Sequence, residues 1–317
     1  MAQIDYAFLD IHKSILLEGA EYENKNRGVE RLQIPSATIR HDLTKSFPAF
    51  SLRQLYWKGV VAELIWFLRG DSDITFLNEN KVSIWNKDAY NWYEKSCKNA
   101  DGTYHTAPLD FESFSKIGRG SVGRNYGVQW RDFNGEVDQV KQLIDNMKKD
   151  IMSSRLLVTA WNPSELEKTA LPACHTGFQI IGVPLSDGDF GFELHWSQRS
   201  TDFLLGAPFN VSSYALLATI LQTMTGYRAL AIEGNLKCVH LYDNQYDEAL
   251  KIVRTDPKQY QDSVFDCERL YTSDWLKVWQ DTGDLDAALK VMKVSDFRFL
   301  GYESRKGEKV EMLAPKV

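Results

Sequence analysis

Apolar residues Ile4, Phe8, Ile11 and Leu16 recur at helical spacing, which predicts an opening amphipathic helix. Residues 29–42, VERLQIPSATIRHD, set β-branched and apolar side chains between polar ones and read as a strand. The run WKGVVAELIWFLRG (57–70) is apolar on nearly every side, so it predicts a buried helix that ends at Gly70. Its one acid is Glu63. EVDQVKQLIDNMKKD (136–150) predicts a surface helix, and RLLVTAW (155–161), FQIIGVPL (178–185) and DFGFELHWSQRS (189–200) predict strands. NVSSYALLATILQTMTG (210–226) predicts a helix with Asn210 in the capping position and Gly226 at its end. Between Trp85 and Gly123 the chain is rich in Asn, Lys, Ser and Tyr, which predicts irregular structure and an insertion at 86–120 with little core of its own. Strands and helices alternate without a βαβ rhythm, so the expected class is α+β. With no repeat, linker or biased tract, residues 1–317 are expected to form one domain.

Composition narrows the task. A chain of 317 residues that is 44% apolar can bury a sizeable core. Lys and Arg number 37 against 43 Asp and Glu, a net charge of −6. That balance provides no broad basic field for a polyanion, and no nucleic-acid substrate is expected. A local pocket for one phosphate remains open. The N-terminus lacks the pattern of a signal peptide, and no stretch of about 18 apolar residues predicts a membrane span, so a cytoplasmic location is expected. Cys97, Cys174, Cys238 and Cys267 lie far apart with no CxxC pair, which predicts a reducing compartment and no metal site.

Cys174 stands out from the other three. It lies in ALPACHTG between two predicted strands, on a turn after Pro172 that would present the thiol. The next element ends in Gln198-Arg199-Ser200, and a guanidinium nearby would favour the nucleophilic thiolate. Local sequence leaves two readings, a small buried hydrophobe or a nucleophile. His175 is a poor partner for a hydrolase dyad, because neighbouring side chains on an extended segment point apart.

Five segments decide between them. ALPACH, RLLVTAWNPSEL, AELIWFLRGDSDITFLNEN, QRSTDFLLGAPFNVSSYALL and HLYDNQ together resemble the thymidylate synthase family, which includes the phage deoxypyrimidine hydroxymethylases. The resemblance runs from about residue 5 to the C-terminus with its motifs in order. It implies the family fold, a mixed sheet layered with helices in a homodimer that packs sheet to sheet. It also implies transfer of a one-carbon unit from 5,10-methylenetetrahydrofolate to C5 of a pyrimidine nucleotide, without a metal. Cys174 matches the nucleophile that adds to C6, and Arg199 the arginine that contacts the phosphate and keeps the cysteine ionised. Gln198 and Ser200 match its hydrogen-bonding neighbours, and Arg155 a phosphate ligand donated across the dimer interface. Asn210 matches the reader of the pyrimidine edge; its amide suits O4 and N3–H of uracil, which points to dUMP rather than dCMP. His240 and Tyr242 match the pair on the ribose 3′-hydroxyl. Glu63 matches the proton-relaying glutamate, Tyr126 the tyrosine on the C5 side, Trp85 the wall against the folate, Asp202 the pterin-binding acid and Arg53 a basic position near the folate's glutamate tail.

Departures from the synthase pattern bear on the product. Ser154-Arg155 stands where synthases usually carry two arginines. Asn26-Arg27-Gly28-Val29 replaces the usual phosphate loop, with Arg27 able to serve one place late. Cys238 replaces the acid before the ribose histidine, Gln245 replaces a histidine, and the tail ends LAPKV with Lys316 penultimate. GRNYG and RGVERLQI look more like the hydroxymethylase branch. A looser tail would admit water to the C5 methylene. The expected reaction is therefore hydroxymethylation of dUMP, with thymidylate synthesis and dCMP hydroxymethylation as alternatives. A phage-type enzyme would act in the host cytoplasm. An inactive nucleotide- or RNA-binding regulator is the reading of another class, and it would not need Cys174.

Overall fold

The computed structural model describes residues 3–24, 28–186, 188–260, 264–307 and 310. The opening helix α1 (Gln3–Glu18) buries Ile4, Phe8 and Ile15 and leaves Asp10 and Lys13 outside. A hairpin follows, β1 (Ala20–Asn24) and β2 (Val29–Asp42). Helix α2 (Trp57–Leu68) is buried along most of its length and stops where Gly70 takes φ +71, a conformation that costs glycine little. After α3 (Thr75–Glu79) come α4 (Asn86–Ser96), α5 (Phe111–Ile117), α6 (Tyr126–Arg131) and α7 (Gln139–Lys149).

The stretch expected to be irregular thus holds two helices. Its apolar residues are few but large: Tyr93 stacks on Phe114 at 5.2 Å and Tyr90 meets Phe114 edge-on at 5.5 Å. These rings close a small cluster over Ala89, and Asp110 caps α5 by accepting the Ser113 N–H at 2.8 Å. Polar neighbours hide that spacing from a periodicity count.

Strands β3 (Leu157–Thr159), β4 (His175–Pro184), β5 (Phe190–Gln198), β6 (Thr201–Asp202) and β7 (Arg228–Tyr242) complete a mixed sheet. Among the described residues its order is β1-β2-β7-β5-β4-β3, with β6 beside β7. β5 and β6 run parallel to β7, and the other pairs are antiparallel. Strand alternation separates the two faces. Phe192, Leu194 and Trp196 of β5 are buried under helices, whereas Glu193, His195 and Ser197 point to the other, open face.

Helix α8 (Gly206–Thr225) lies on the covered face and ends at Gly226, φ +84. It begins one turn earlier than predicted, so Asn210 is inside the helix and does not cap it. Pro208 explains the shift: in a first turn its missing N–H costs nothing and its fixed φ suits the helix. Asp202 instead binds the free Leu205 N–H at 3.0 Å. Among the described residues no helix is long and apolar enough to cross a membrane.

Candidate active site

Cys174 sits half-buried on the turn that enters β4, and its backbone is fixed from both sides. Its N–H donates to the Tyr126 hydroxyl at 2.6 Å, and its carbonyl accepts the Arg199 N–H at 2.8 Å. The Arg199 guanidinium closes the turn: Nε donates to the Ala173 carbonyl (2.9 Å) and Nη2 to the Pro172 carbonyl (2.8 Å), while the group lies 5.2 Å over the Trp161 ring. The sequence-predicted cation is therefore beside the cysteine, and it also shapes the turn that presents the thiol.

Glu63 reaches the same cleft from α2. Trp85, nearly buried at the start of α4, donates its indole N–H to Glu63 Oε1 at 2.7 Å. Burial pushes the Glu63 carboxyl up to about 7, and the Trp85 bond offsets only part of that effect. Tyr126 packs 6.1 Å from the Trp85 ring. Burial, then the negative charge available at Cys174, holds its phenol well above the ordinary tyrosine range. A nucleophile, a carboxyl able to exchange a proton near neutrality and a fixed phenol thus share one cleft.

Asn210, on the second turn of α8, accepts from Gln198 Nε2 at 3.1 Å and hydrogen-bonds the His175 side chain. Gln198 Nε2 also donates to the Ser200 carbonyl at 3.1 Å. His175 is buried, with the Tyr214 hydroxyl 3.3 Å from Nδ1 and the Tyr126 ring 5.3 Å from its own, and burial lowers its pKa to about 4. A neutral imidazole aimed at Asn210 and Tyr214 is no base for Cys174, in line with the reading that dismissed a hydrolase dyad. Its role in holding Asn210 was not legible in sequence. The chain of contacts continues through Tyr214, which stacks on Trp196 at 4.8 Å.

At the end of β7, His240 is buried, its Nδ1 bonded to the Cys238 carbonyl at 2.7 Å, and its ring meets Tyr242 edge-on at 4.8 Å. Cys238, where the acid was missing, adopts φ +45 and so turns its carbonyl toward that ring. Asp202 pairs in register with His240. Gln245 donates to both Asp202 oxygens, at 3.1 Å each.

Arg53 lies near Asp202, Glu248, Tyr302 and Arg305, and burial lowers its pKa against the pull of the two acids. Its loop is tied down by groups that sequence reading did not select. The buried Asp5 carboxylate accepts from Ser51 N–H (3.0 Å) and Oγ (2.6 Å) and from Leu52 N–H (3.2 Å). The returning C-terminal segment adds more: Tyr302 Oη donates to the Phe50 carbonyl (2.8 Å) and accepts from Leu55 N–H (2.7 Å), and Arg305 N–H donates to the Ser51 carbonyl (2.7 Å). The Arg305 guanidinium then binds buried Glu248 through two bonds, 2.6 and 3.0 Å. Only an acid or base at an apolar position could have flagged these, and Asp5 on the inner side of α1 was such a signal.

Arg155 does not join this cluster. It is exposed on the turn before β3, and Leu157 pairs with Gln179, so Arg155 lies level with residues about seven places up β4 from Cys174. At roughly 3.3 Å per residue that is about 20 Å, beyond an arginine's reach. Arg27 and Lys316 lie outside the described residues. Among the described residues no group of three or more His, Cys, Asp or Glu side chains is placed to hold a metal ion.

A family model described as Thymidylate synthase matches residues 6–314. The chain is 36% identical over 257 residues to a Mycoplasma genitalium protein named thymidylate synthase, covering 80% of this chain and 87% of that one. It is similar to the thymidylate synthase of Malacoplasma penetrans, 36% over 255 residues, covering 80% and 86%. The thymidylate synthase of Mycoplasma pneumoniae matches at 33% over 254 residues, covering 79% and 86%.

Proposed function

This chain belongs to the thymidylate synthase family, and with it to the methylenetetrahydrofolate-dependent one-carbon transferases; we propose that it converts dUMP to thymidylate. The expected preference for a hydroxymethyl product gives way here, because the relatives described above are named thymidylate synthase and nothing in them favours a hydroxymethylase or a phage origin. The observation that carries the reading is the shared cleft of Cys174, Tyr126, Glu63 and Trp85, which a regulator that only binds nucleotide does not need.

Cys174 adds through sulfur to C6 of the pyrimidine, and the electron pair moves to C5. Asn210, held by Gln198 and His175, pairs with the uracil edge. Glu63 holds or releases a proton near O4, which its raised pKa suits to neutral pH. Tyr126 stands at the C5 side, its hydroxyl anchored to the Cys174 N–H. Arg199, Ser200 and Arg27 serve the phosphate, and His240 with Tyr242 the ribose. The side chains at the far end fit a folate: Trp85 offers a flat apolar wall, Asp202 an acceptor for ring N–H groups, and Arg53 a cation for carboxylates. When bound, methylenetetrahydrofolate supplies the carbon and then the hydride that completes the methyl group.

A homodimer is part of the proposal. The open face of the sheet exposes Leu157 and Ile181, and a second copy packed there would bring its Arg155 to the phosphate, which the chain's own Arg155 cannot reach. Residues 1–317 then act as one catalytic domain, with 86–120 as an elaboration on the Trp85 side. The test is product analysis with dUMP or dCMP and methylenetetrahydrofolate. Thymidylate with equal dihydrofolate is expected from dUMP. A product heavier by CH2O without dihydrofolate would restore the hydroxymethylase reading, turnover of dCMP alone would overturn the role given to Asn210, and no turnover would favour the regulator.

A further inference from the structure

Gln245 is fully buried at the folate end of the cleft, and none of the steps above uses it. Its Nε2 donates to both oxygens of the Asp202 carboxylate (3.1 and 3.1 Å), and its Oε1 accepts the Tyr242 N–H (3.1 Å). The Leu205 N–H also binds Asp202, through Oδ1 at 3.0 Å. The amide's bonds to both carboxylate oxygens, together with this one, orient the carboxylate plane. The same amide anchors the strand end that carries Tyr242, so one side chain ties Asp202 to that strand end. A side-chain amide does this without changing charge across neutral pH, and both its polar ends are satisfied.

We propose that Gln245 is a positioning residue for folate binding, acting by fixing the plane of the Asp202 carboxylate. The proposal rests on the reading of Asp202 as the acid that receives the pterin. Gln245→Glu keeps the shape but turns the donor into a second carboxylate against Asp202. It is expected to raise KM for methylenetetrahydrofolate about tenfold or more at pH 8. kcat and the Kd for dUMP should stay within about threefold of wild type. The defect should shrink as pH falls toward 6, because two close carboxylates come to share a proton. Gln245→His, which keeps a donor, should restore most of the folate KM. In an Asp202→Ala background, which itself raises the folate KM, Gln245→Glu should add nothing.

An unchanged folate KM and pH profile in Gln245→Glu, with Asp202→Ala impaired, would reduce Gln245 to a space-filling residue. So would equal losses for both substrates in Gln245→Glu and Gln245→His alike. A normal folate KM in Asp202→Ala would overturn the role of Asp202 itself and this inference with it, leaving the wild-type reaction as measured.

Discussion

The cleft around Cys174 and the open face of the sheet share strands β4 and β5, yet they treat polar groups in opposite ways. In the cleft, Gln198, His175, Asn210, Tyr126 and Arg199 are enclosed and hold one another through bonds within the chain. On the open face, Arg40 bridges Glu193 (2.8 Å) and Glu233 (3.2 Å), and His195 lies 2.9 Å from Glu193, all in contact with water. The enclosed groups gain direction because low dielectric strengthens each interaction, and burial lowers the pKa of His175 and raises that of Tyr126. The exposed group contributes little while it stays in water. The cleft is thus preorganised by one chain, whereas the open face, with Arg155 near it, is where the proposed second copy would pack.

Four substitutions probe that difference. The largest effect is expected from Cys174→Ala, which should lower turnover by at least about 1000-fold and abolish covalent capture of 5-fluoro-dUMP, read by mass spectrometry. Next, Arg155→Glu should cut kcat/KM about 100-fold while leaving the fold intact. Mixing it with Cys174→Ala should regain activity, since some hybrid dimers carry one site with both residues native. Failure of the mixture to regain turnover would break the idea of a shared site.

Glu63→Gln should lose about 100-fold in kcat but gain stability. Folded Glu63 keeps its proton to about pH 7, while the unfolded chain releases it near 4.5. The folded state binds more protons between those values, so it loses stability as pH rises from 4.5 to 7 and stays at the lower level above. The variant should therefore be more stable than wild type at pH 8, by about 3 kcal/mol at most, with no difference at pH 4. Thermal melts at both pH values check this. The smallest effect belongs to Arg40→Ala. It should cost less than about 1 kcal/mol if the face remains in water, so a clear concentration-dependent loss of dimer by sedimentation would show that the pair becomes covered.

How much of the site was legible follows from the kind of signal each residue gives. Glu63 announced itself as an acid in an apolar helix, and Cys174 by its turn and following arginine. Arg199 was readable as a cation near Cys174, but its bonds to the Ala173 and Pro172 carbonyls could not be read, because they join residues 26 and 27 positions away. Asn210, matched to the reader of the pyrimidine edge, was also expected to cap its helix because Asn, Ser and Thr at a helical start carry that statistical meaning, and Pro208 moved the start. The helices in 86–120 escaped because their core is a few aromatic rings among polar residues.

Sequence alone determined the α+β class, the buried α2 and the long helix α8, since these depend on periodicity and residue type, and through the family motifs it supplied the candidates for the chemistry-bearing side chains. Tertiary structure decided which groups share an environment. It enclosed Glu63 against Trp85, turned His175 toward Asn210, bound Asp202 to Gln245 and brought Arg305 back onto Glu248 and the Ser51 loop. Each of these is a contact between residues far apart in the chain, whose strength depends on burial and on distances of a few tenths of an ångström. No local pattern encodes either quantity.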